Sequence, residues 1–388
     1  MNKAGYVDRG EYEACLGLAW QGLSATHRLL GLLASEGAGA LWRASRARLV
    51  SLRVAGPAIA ALEDARRCFD LKDAEALLRR AGLRFVPFGC SRYPKELLHL
   101  SLPPAGLFVL GAPEALDRLV CIPRVSIVGT RKASGEGLRA TEAFTRAFIA
   151  RDVAVISGMA LGVDGRAHQT ALEQGGLTVA VLGCGADVVY PPRHRWLYEK
   201  IARHGVVMSE LPPGTSPARW TFPHRNRLLA ALGDGVVVVE GAKTSGALQT
   251  ADWALHLGRP VFSVPGSIFA ESHTGCNLLL HQGAAPAVEP HITVEDFLTQ
   301  TRIERGRRLE NESPPSVDRG EDRSAVPACA GGTRGRSVLE ALEAGPSTID
   351  GLMIQTGLSA RELGVAFAEL ELAGLVERAG PGVYIRAP

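Results

Sequence analysis

Two arginines flank an asparagine in the segment TFPHRNR, residues 221–227, behind an aromatic residue and a proline. The guanidinium groups of Arg225 and Arg227 keep their charge at physiological pH, and their planar forks match the oxygen atoms of a phosphate. Phe222 can offer the face of its ring to a nucleobase. The segment therefore predicts a binding site for a ligand that carries phosphate.

Small residues stand at the ends of most apolar runs between residues 125 and 266. Glycine lets a phosphate approach the backbone, and a helix N-terminus supplies N–H donors and partial positive charge. One such turn is typical of a tight strand-to-helix connection, but the agreement across several strands favours anion binding. The turns are Gly129-Thr130-Arg131, Ser157-Gly158, Gly183, Ser245-Gly246 and Pro265-Gly266.

The spacing of these glycines does not fit a dinucleotide cofactor. Such a site needs G-x-G-x-x-G after the first strand and an acidic residue after the second. Gly129, Gly135 and Gly137 are spaced differently, and the second strand ends in Ser157-Gly158. The sequence also lacks a Walker lysine motif, so we predict no cofactor.

Positive charge at strand ends and loops takes the place of those motifs. Several exposed charges along one rim suit an extended phosphodiester backbone better than a single pyrophosphate. We expect Arg131 and Arg225 to contact the ligand and assign Lys132 and Arg195 to solvated loops. Trp220 and Phe222 are the stacking candidates, although Phe222 can equally be a core residue. The charges expected to be exposed are Arg131, Lys132, Arg193, Arg195, Arg219, Arg225, Arg227 and Lys243.

Asp164 and His168 share the start of a predicted helix, where a hydrolytic pair is conceivable. No nucleophile with a base and an orienting group, no carboxylate pair and no metal-ligand spacing can be assembled around them. Asp164 is more simply a cap or loop hydrogen-bond acceptor. The sequence thus predicts a binding protein without catalytic residues or a metal site.

Strand and helix alternate regularly between about residues 120 and 300. Continuous β-branched runs separated by amphipathic helices predict a mostly parallel sheet covered on both faces, an extended Rossmann-like, doubly wound α/β domain. Ligands bind such sheets beyond the carboxyl ends of the strands, where the small residues and arginines lie. The predicted strands are 107–110, at the sheet edge, and 125–128, 153–156, 178–182, 206–209, 236–239 and 261–264.

Three further segments frame this domain. Short helices at the N-terminus resemble the helix-hairpin-helix or SAM-like class, and the missing Gly-x-Gly turn in GLSATHR (22–28) favours a packing role over DNA binding. A stretch rich in Arg, Glu, Ser, Pro and Gly predicts a disordered linker. Three helices and a hairpin at the C-terminus predict a winged helix. The predicted boundaries are 1–82 for the helical domain, 83–300 for the Rossmann-like domain, 301–335 for the linker and 336–388 for the winged helix.

The candidate recognition helix of the winged helix carries more acidic than basic side chains. Its charged residues are Arg361, Glu362, Glu369 and Glu371. Such a face repels phosphate, so we predict a protein-contact or regulatory module rather than a strong reader of DNA.

Composition is consistent with a cytoplasmic protein. The seven cysteines are scattered without a C-x-x-C pair, which predicts reduced thiols in a reducing compartment. The N-terminus does not read as a signal peptide, and no apolar run is long enough to cross a bilayer. A net charge of +3 permits a polyanionic partner without demanding one.

Ordered motifs over about 160 residues resemble the DprA/Smf family of DNA-processing proteins. The helical and winged-helix modules on either side fit the same architecture. The matching stretches are SIVGTRKAS (126–134), ISGMALGVDGRAHQTAL (156–172), AVLGCGADVVYPP (180–192), SELPPGTSP (209–217), FPHRNRLLAAL (222–232), VVVEGAKTSGALQTA (237–251), RPVFSVPGSIF (259–269) and GCNLLLHQGA (275–284).

The resemblance implies a cytoplasmic, non-enzymatic protein that binds single-stranded DNA without strict sequence preference. It also implies protection of incoming strands during natural transformation, loading of the recombinase RecA, and a homodimer formed through the Rossmann-like domain. By the family's motifs and the strand-end turns, the predicted DNA-binding residues are Gly129, Thr130, Arg131, Ser157, Gly158, Arg193, Arg219, Phe222, Arg225, Asn226, Arg227, Lys243, Ser245, Gly246 and Asn277.

Four positions depart from the family's motifs. His224 stands where the family usually has arginine, which predicts weaker or pH-dependent binding. Ala247, Cys276 and His194 replace a serine, a threonine and an asparagine, which puts individual hydrogen bonds in question but not the fold.

Two other functions use the same fold. A phosphoribohydrolase-like enzyme requires a P-G-G-x-G-T turn with a nearby glutamate, which VPGSIF at 264–269 does not supply. A nucleotide sensor would use the same rim. Strand binding weakens steeply with salt as several phosphates are released, whereas binding to a mononucleotide site does not.

Overall fold

A nine-stranded sheet organises the first of two units, Met1–Glu312; the second unit is Ser313–Pro388. The structure, a computed structural model, describes residues 7–20 and 27–312 and selected positions between 337 and 386. The strands are β1 (Arg84–Pro87), β2 (Gly106–Gly111), β3 (Arg124–Val128), β4 (Ala154–Ser157), β5 (Thr178–Val181), β6 (Val206–Ser209), β7 (Gly235–Val238), β8 (Val261–Ser263) and β9 (Ala285–Pro286).

The strand order β1-β2-β6-β5-β4-β3-β7-β8-β9 confirms the doubly wound, mostly parallel sheet. Within this sheet, only the pairs β1–β2 and β2–β6 are antiparallel. The chain runs from β3 outward to β6 and then resumes at β7 on the other side of β3. This reversal is the topological switch point at which such sheets bind ligands.

Helices cover both faces of the sheet, because alternate strand residues point to opposite sides. Val128, Ile156 and Val236 belong to the core under α12 (Thr221–Leu232) and α13 (Gly246–His256). Val125 and Val155 pack on the other face, under α9 (Gly135–Ala150) and α10 (Val163–Glu173). Within the described part of the chain, no helix is both long and apolar enough to span a bilayer. The helices from the sheet region onward are α8 (Pro113–Cys121), α9 (Gly135–Ala150), α10 (Val163–Glu173), α11 (Arg195–His204), α12 (Thr221–Leu232), α13 (Gly246–His256), α14 (Thr274–His281) and α15 (Pro290–Glu312).

In the described part of the chain, seven short helices precede the sheet and share a core with its antiparallel edge. Phe85 of β1 and Phe108 of β2 belong to the same buried cluster as leucines of these helices. The Glu11 carboxylate accepts hydrogen bonds from the backbone N–H groups of Ala38 and Gly39, at 2.8 and 2.9 Å, and so caps α4 (Ala38–Arg43). The domain boundary at residue 82 stays a prediction. The helices are α1 (Arg9–Trp20), α2 (His27–Gly31), α3 (Leu33–Glu36), α4 (Ala38–Arg43), α5 (Arg46–Ser51), α6 (Gly56–Cys68) and α7 (Leu71–Arg80).

Two sequence assignments are wrong. Strand β2 is not at the edge of the sheet, because β1 pairs with it on the outer side; β1 is only four residues long and ends in proline, so it gave no strand signal. The linker predicted from residue 301 begins instead as the last part of α15, which continues to Glu312. This segment is as rich in charged residues as a disordered linker, but its Arg, Leu and Glu residues are also good helix formers.

The second unit contains a three-stranded antiparallel sheet and its own buried core, as a winged helix requires. The core includes Val338, Leu352, Leu363, Phe367 and Leu370. The charged residues Arg361, Glu362, Glu369 and Glu371 lie outside the described residues. The strands are β10 (Ser347–Thr348), β11 (Val376–Gly380) and β12 (Val383–Arg386), with β12 in the middle.

Candidate functional site

The segment TFPHRNR forms the first two turns of α12, a helix that was not predicted from the sequence. Pro223 lies in the first turn, where a missing N–H costs no helical hydrogen bond. The apolar residues Leu228 to Leu232 then bury the second half of the helix in the core. Because the C-terminal half of α12 is held in the core, the side chains of its N-terminal turns are directed toward the switch point.

An open cleft of ≈ 660 Å³ lies at the carboxyl ends of β3, β4 and β7 and is called the rim site below. Its walls are the loop after β3, the loop after β7 and the first turns of α12. Nine of the fifteen predicted residues line it: Gly129, Thr130, Arg131, Arg219, Phe222, Arg225, Asn226, Ser245 and Gly246.

Arg225 lies at the floor of the rim site, and the prediction that its side chain is exposed is wrong. It is 5% exposed. Its Nη1 donates to the carbonyl oxygens of Gly158, at 3.0 Å, and of Val181. Burial lowers the pKa of the guanidinium to about 10, and Asp164 opposes that shift, so the group stays protonated at neutral pH.

Arg227 is also buried, at 3% exposure, so its predicted exposure is wrong as well. Its Nη2 donates to the carboxylate of Glu210, also buried. Burial raises the pKa of Glu210, and the charge of Arg227 counteracts this rise. His224 Nε2 accepts hydrogen bonds from Nε and Nη2 of Arg227, at 3.2 and 2.9 Å. Arg227 and His224 thus support the base of α12 and do not line the rim site.

The half-buried ring of Phe222 forms one wall of the rim site. Its centroid is 5.4 Å from that of Tyr190, with the rings inclined by 34°. The Arg131 guanidinium carbon lies 5.1 Å from the Phe222 centroid, within cation–π range. These three side chains also line a smaller cavity of ≈ 60 Å³ beside Gly183 and Pro191. Tyr190 was not predicted as a site residue because it is distant from Phe222 in the sequence, and the two rings come into contact only in the folded chain.

Four exposed cations surround the rim site. Arg131, Lys132 and Arg219 line it, and Lys243 stands between two lining residues, Ala242 and Thr244. Among the described residues, none of the four makes an ion pair. A buried arginine and four unpaired exposed cations make the cleft a strongly positive surface.

Six predicted residues do not line the rim site. One of them, Gly158, is buried directly after β4 and accepts a hydrogen bond from Arg225 through its carbonyl oxygen. Besides Arg227, Ser157 is fully buried and donates to the Ile127 carbonyl. Asn277 clamps the loop after β8 by accepting from Gly266 N–H and donating to Gly266 C=O. Lys243 adjoins the cleft, and Arg193 is exposed in the short 3-10 turn before α11.

Glu240, which is not among the predicted site residues, fixes the loop after β3. Its carboxylate is fully buried and accepts from the N–H and Oγ of Ser134, at 2.9 and 3.1 Å. Its carbonyl oxygen accepts from Thr130 N–H at 2.7 Å. The sequence signal that could have identified Glu240 is the position of an acidic residue directly after a buried strand. These bonds hold Thr130 and Arg131 at the rim.

Asp164 and His168 do not form a hydrolytic pair. Asp164 accepts from the N–H groups of Gly158 and Ala160, which confirms it as a loop acceptor; burial raises the pKa of its carboxyl, and Arg225 counteracts this. His168 is fully buried, with Nδ1 2.7 Å from Oγ1 of Thr178. In the described part of the chain, no group of three His, Cys, Asp or Glu side chains is arranged to hold a metal ion.

Comparison with known proteins yields consistent matches along the chain. The family model for DNA recombination-mediator protein A matches residues 84–300, and the DprA winged helix domain matches residues 324–382. Protein Smf of Synechocystis sp. is 33% identical over 302 residues, which cover 74% of this chain and 76% of that protein.

Two solved structures also resemble the chain. DNA processing protein A (DprA) from Streptococcus pneumoniae superposes with a TM-score of 0.63 at 29% identity, covering 75% of this chain and 99% of that one. The protein of the same name from Helicobacter pylori, whose structure concerns a single-stranded DNA binding mode, gives a TM-score of 0.51 at 27% identity. That match covers 56% of this chain and 98% of the other.

Proposed function

The chain belongs to the DprA/Smf family of DNA-processing proteins, and from this premise we propose that the rim site binds single-stranded DNA without strict sequence preference. Single-stranded DNA binding is the subject of the Helicobacter pylori structure. The geometry of the rim site supports the same ligand class for this chain.

One observation carries the proposal: four unpaired, exposed cations surround a cleft with an aromatic wall. Arg131, Lys132, Arg219 and Lys243 are spread around the opening, so they match successive phosphates better than one phosphate group. The Phe222 ring offers a surface on which an unpaired base stacks, and bases within a duplex are not available for this contact.

The buried floor strengthens this attraction. The Arg225 guanidinium is held by backbone carbonyl oxygens in a site shielded from water, where its charge acts through a lower dielectric than at the surface. Asp164, the acidic residue that lines the cleft, has two backbone N–H donors on its carboxylate. Backbone hydrogen bonds therefore hold both charged groups at the floor of the cleft, the Arg225 guanidinium and the Asp164 carboxylate, in fixed positions.

The test is fluorescence anisotropy with labelled oligonucleotides, single-stranded against duplex. We expect the wild-type chain to prefer the single strand, and Arg131→Ala to weaken binding by about tenfold. Arg139→Ala is the matched control, since Arg139 is an exposed arginine of α9 that does not line the cleft. Equal affinity for duplex, or an Arg131 variant equal to wild type, contradicts the proposal.

A salt titration of the same complexes separates strand binding from binding of one nucleotide. For a single strand the slope of log K against log salt is about −0.7 per phosphate contacted. We expect a slope that reflects several phosphates, reduced in magnitude by about 0.7 in the Arg131 variant. A shallow slope favours an enzyme or sensor of nucleotides instead.

We also propose the cellular role that the family implies. The chain would protect incoming strands in the cytoplasm during natural transformation and load RecA onto them, as a homodimer formed through the Rossmann-like domain, without catalysis. Family membership supports this role. The experiment is RecA filament assembly on DNA precoated with single-strand-binding protein. The wild type should shorten the lag before filaments form, and Arg131→Ala should not.

Analytical ultracentrifugation of the purified chain tests the proposed homodimer.

A further inference from the structure

Helix α11 and the 3-10 turn before it, Pro192–His194, form a positively charged strip beside the rim site. Its basic side chains are exposed, and one acidic residue, Glu199, lies among them. Among the described residues these basic groups form no ion pair. The term basic strip is used below for Arg193, Arg195, Lys200 and Arg203.

An exposed tryptophan stands within the basic strip. Trp196, in the first turn of α11, is 44% exposed, and Lys200 Nζ lies 5.5 Å from its ring centroid. The two side chains flank a groove of ≈ 470 Å³ between α10 and α11, which Gln169, Glu173 and His204 also line. The Glu173 carboxylate accepts a hydrogen bond from Gln169. A large aromatic ring left in solvent among unpaired cations is typical of a stacking platform for single-stranded nucleic acid.

The basic strip is anchored to the rim site. His194 Nδ1 lies 3.0 Å from the carbonyl oxygen of Met159, which directly precedes Ala160 of the rim site. Tyr190, which lines the rim site, is followed within three residues by Arg193. A strand that leaves the cleft past Tyr190 therefore reaches the basic strip directly.

We propose that a DNA strand longer than the rim site continues over helix α11, with a base stacked on Trp196 and phosphates on the basic strip. This inference rests on the proposed function and extends its site to a second element. Continuity with the rim site and the positive charge favour a nucleic acid over an acidic protein as the occupant. Trp196 then contributes to affinity for long strands only.

The experiment compares oligo(dT) of about 6 and about 25 nucleotides by anisotropy. We expect Trp196→Ala to weaken binding of the long oligonucleotide about tenfold and to leave the short one unchanged, whereas Trp196→Phe retains most of the affinity. The double variant Arg195→Ser with Lys200→Ser should reduce the salt slope for the long oligonucleotide by about 1.4. Leu98→Ala, which removes a similarly exposed apolar side chain elsewhere, is the control.

Three outcomes overturn the inference. If Trp196→Ala leaves the affinity for the long oligonucleotide unaffected, the DNA strand does not stack on Trp196. If both lengths weaken equally in Trp196→Ala and in Trp196→Phe, the substitution disturbs the rim site or the fold. If the wild type binds neither length, the proposed function itself fails, which is distinct from failure of the extension.

Discussion

The guanidinium of Arg225 lies directly against the Cα of Gly158, whose carbonyl oxygen accepts a hydrogen bond from Nη1 at 3.0 Å. A Cβ atom on Gly158 would lie 2.5–2.6 Å from three guanidinium atoms. The glycine at the end of β4 is therefore required by a buried arginine from α12, and this contact joins the two sides of the switch point.

Replacing Gly158 by alanine should destabilise the first unit by about 1–3 kcal/mol, because the added methyl group overlaps a side chain that cannot move without losing its buried partners. The free energy of unfolding in urea measures this. All five tryptophans lie between residues 20 and 253, so their fluorescence reports on the first unit alone. Gly56→Ala is the control, since a Cβ there meets no atom within 4 Å. Equal losses in both variants would refute the account.

The Phe222 ring supplies stacking area that an aliphatic side chain cannot. Phe222→Leu should lower the affinity for single-stranded DNA by about tenfold while leaving the unfolding midpoint nearly unchanged. Phe88→Leu is a matched control, because Phe88 is also half-buried and packs on Tyr93 at 5.5 Å. An unchanged affinity for the Phe222 variant, measured by anisotropy, would make Phe222 a core residue only.

The parallel strands were predictable because buried strands of such sheets are continuous β-branched runs, as in 236–239. The position of the rim site followed from the same runs, since small residues mark their carboxyl ends. Strand β1 was not predictable, because its pairing with β2 depends on a partner about 20 residues away.

Burial of the two arginines was the main failure at the site. Arginine is usually exposed, and the groups that compensate for its burial come from distant segments: Gly158 and Val181 for Arg225, Glu210 for Arg227. A sequence pattern on α12 alone carries no information about those partners. Exposed cations such as Arg131 need no such partner, so their placement could be predicted.

His224 faces Arg227 and Glu210 rather than the rim site. His224→Ala should therefore leave the affinity for single-stranded DNA within about twofold and lower the unfolding free energy by about 1 kcal/mol, the net value of a hydrogen bond. Arg131→Ala should show the opposite pattern, with weaker binding and unchanged stability. Paired anisotropy and urea measurements test both. Weak binding by His224→Ala at full stability would restore a direct role for the histidine.

His168 makes the first unit sensitive to acid. Burial, with the nearby charges of His194 and Arg225, lowers its pKa from 6.5 to about 3. Between these values the unfolded chain binds a proton that the folded chain does not, so stability falls as pH decreases. From pH 7 to pH 5 this group alone removes about 2 kcal/mol.

The variant His168→Gln should lose about 2 kcal/mol less than wild type over that pH interval, measured as the urea unfolding free energy from tryptophan fluorescence at constant ionic strength. His256→Gln, at an exposed position of α13, should keep the full acid loss. If His168→Gln and wild type lose the same stability between pH 7 and pH 5, the buried histidine is not the source.

Residues 313–388 should be dispensable for strand binding. The first unit holds the whole rim site and its own buried clusters, and α15 closes it at Glu312. A chain that stops after Glu312 should therefore keep its tryptophan-monitored unfolding midpoint and bind oligo(dT) within about threefold of wild type, because the four rim cations and Phe222 all remain. The acidic residues of the candidate recognition helix also favour this result, since they oppose a phosphate backbone. Anisotropy of the truncated and full-length chains at matched salt decides the question, and a loss above tenfold with an unchanged unfolding midpoint would assign the winged helix a direct contact with DNA.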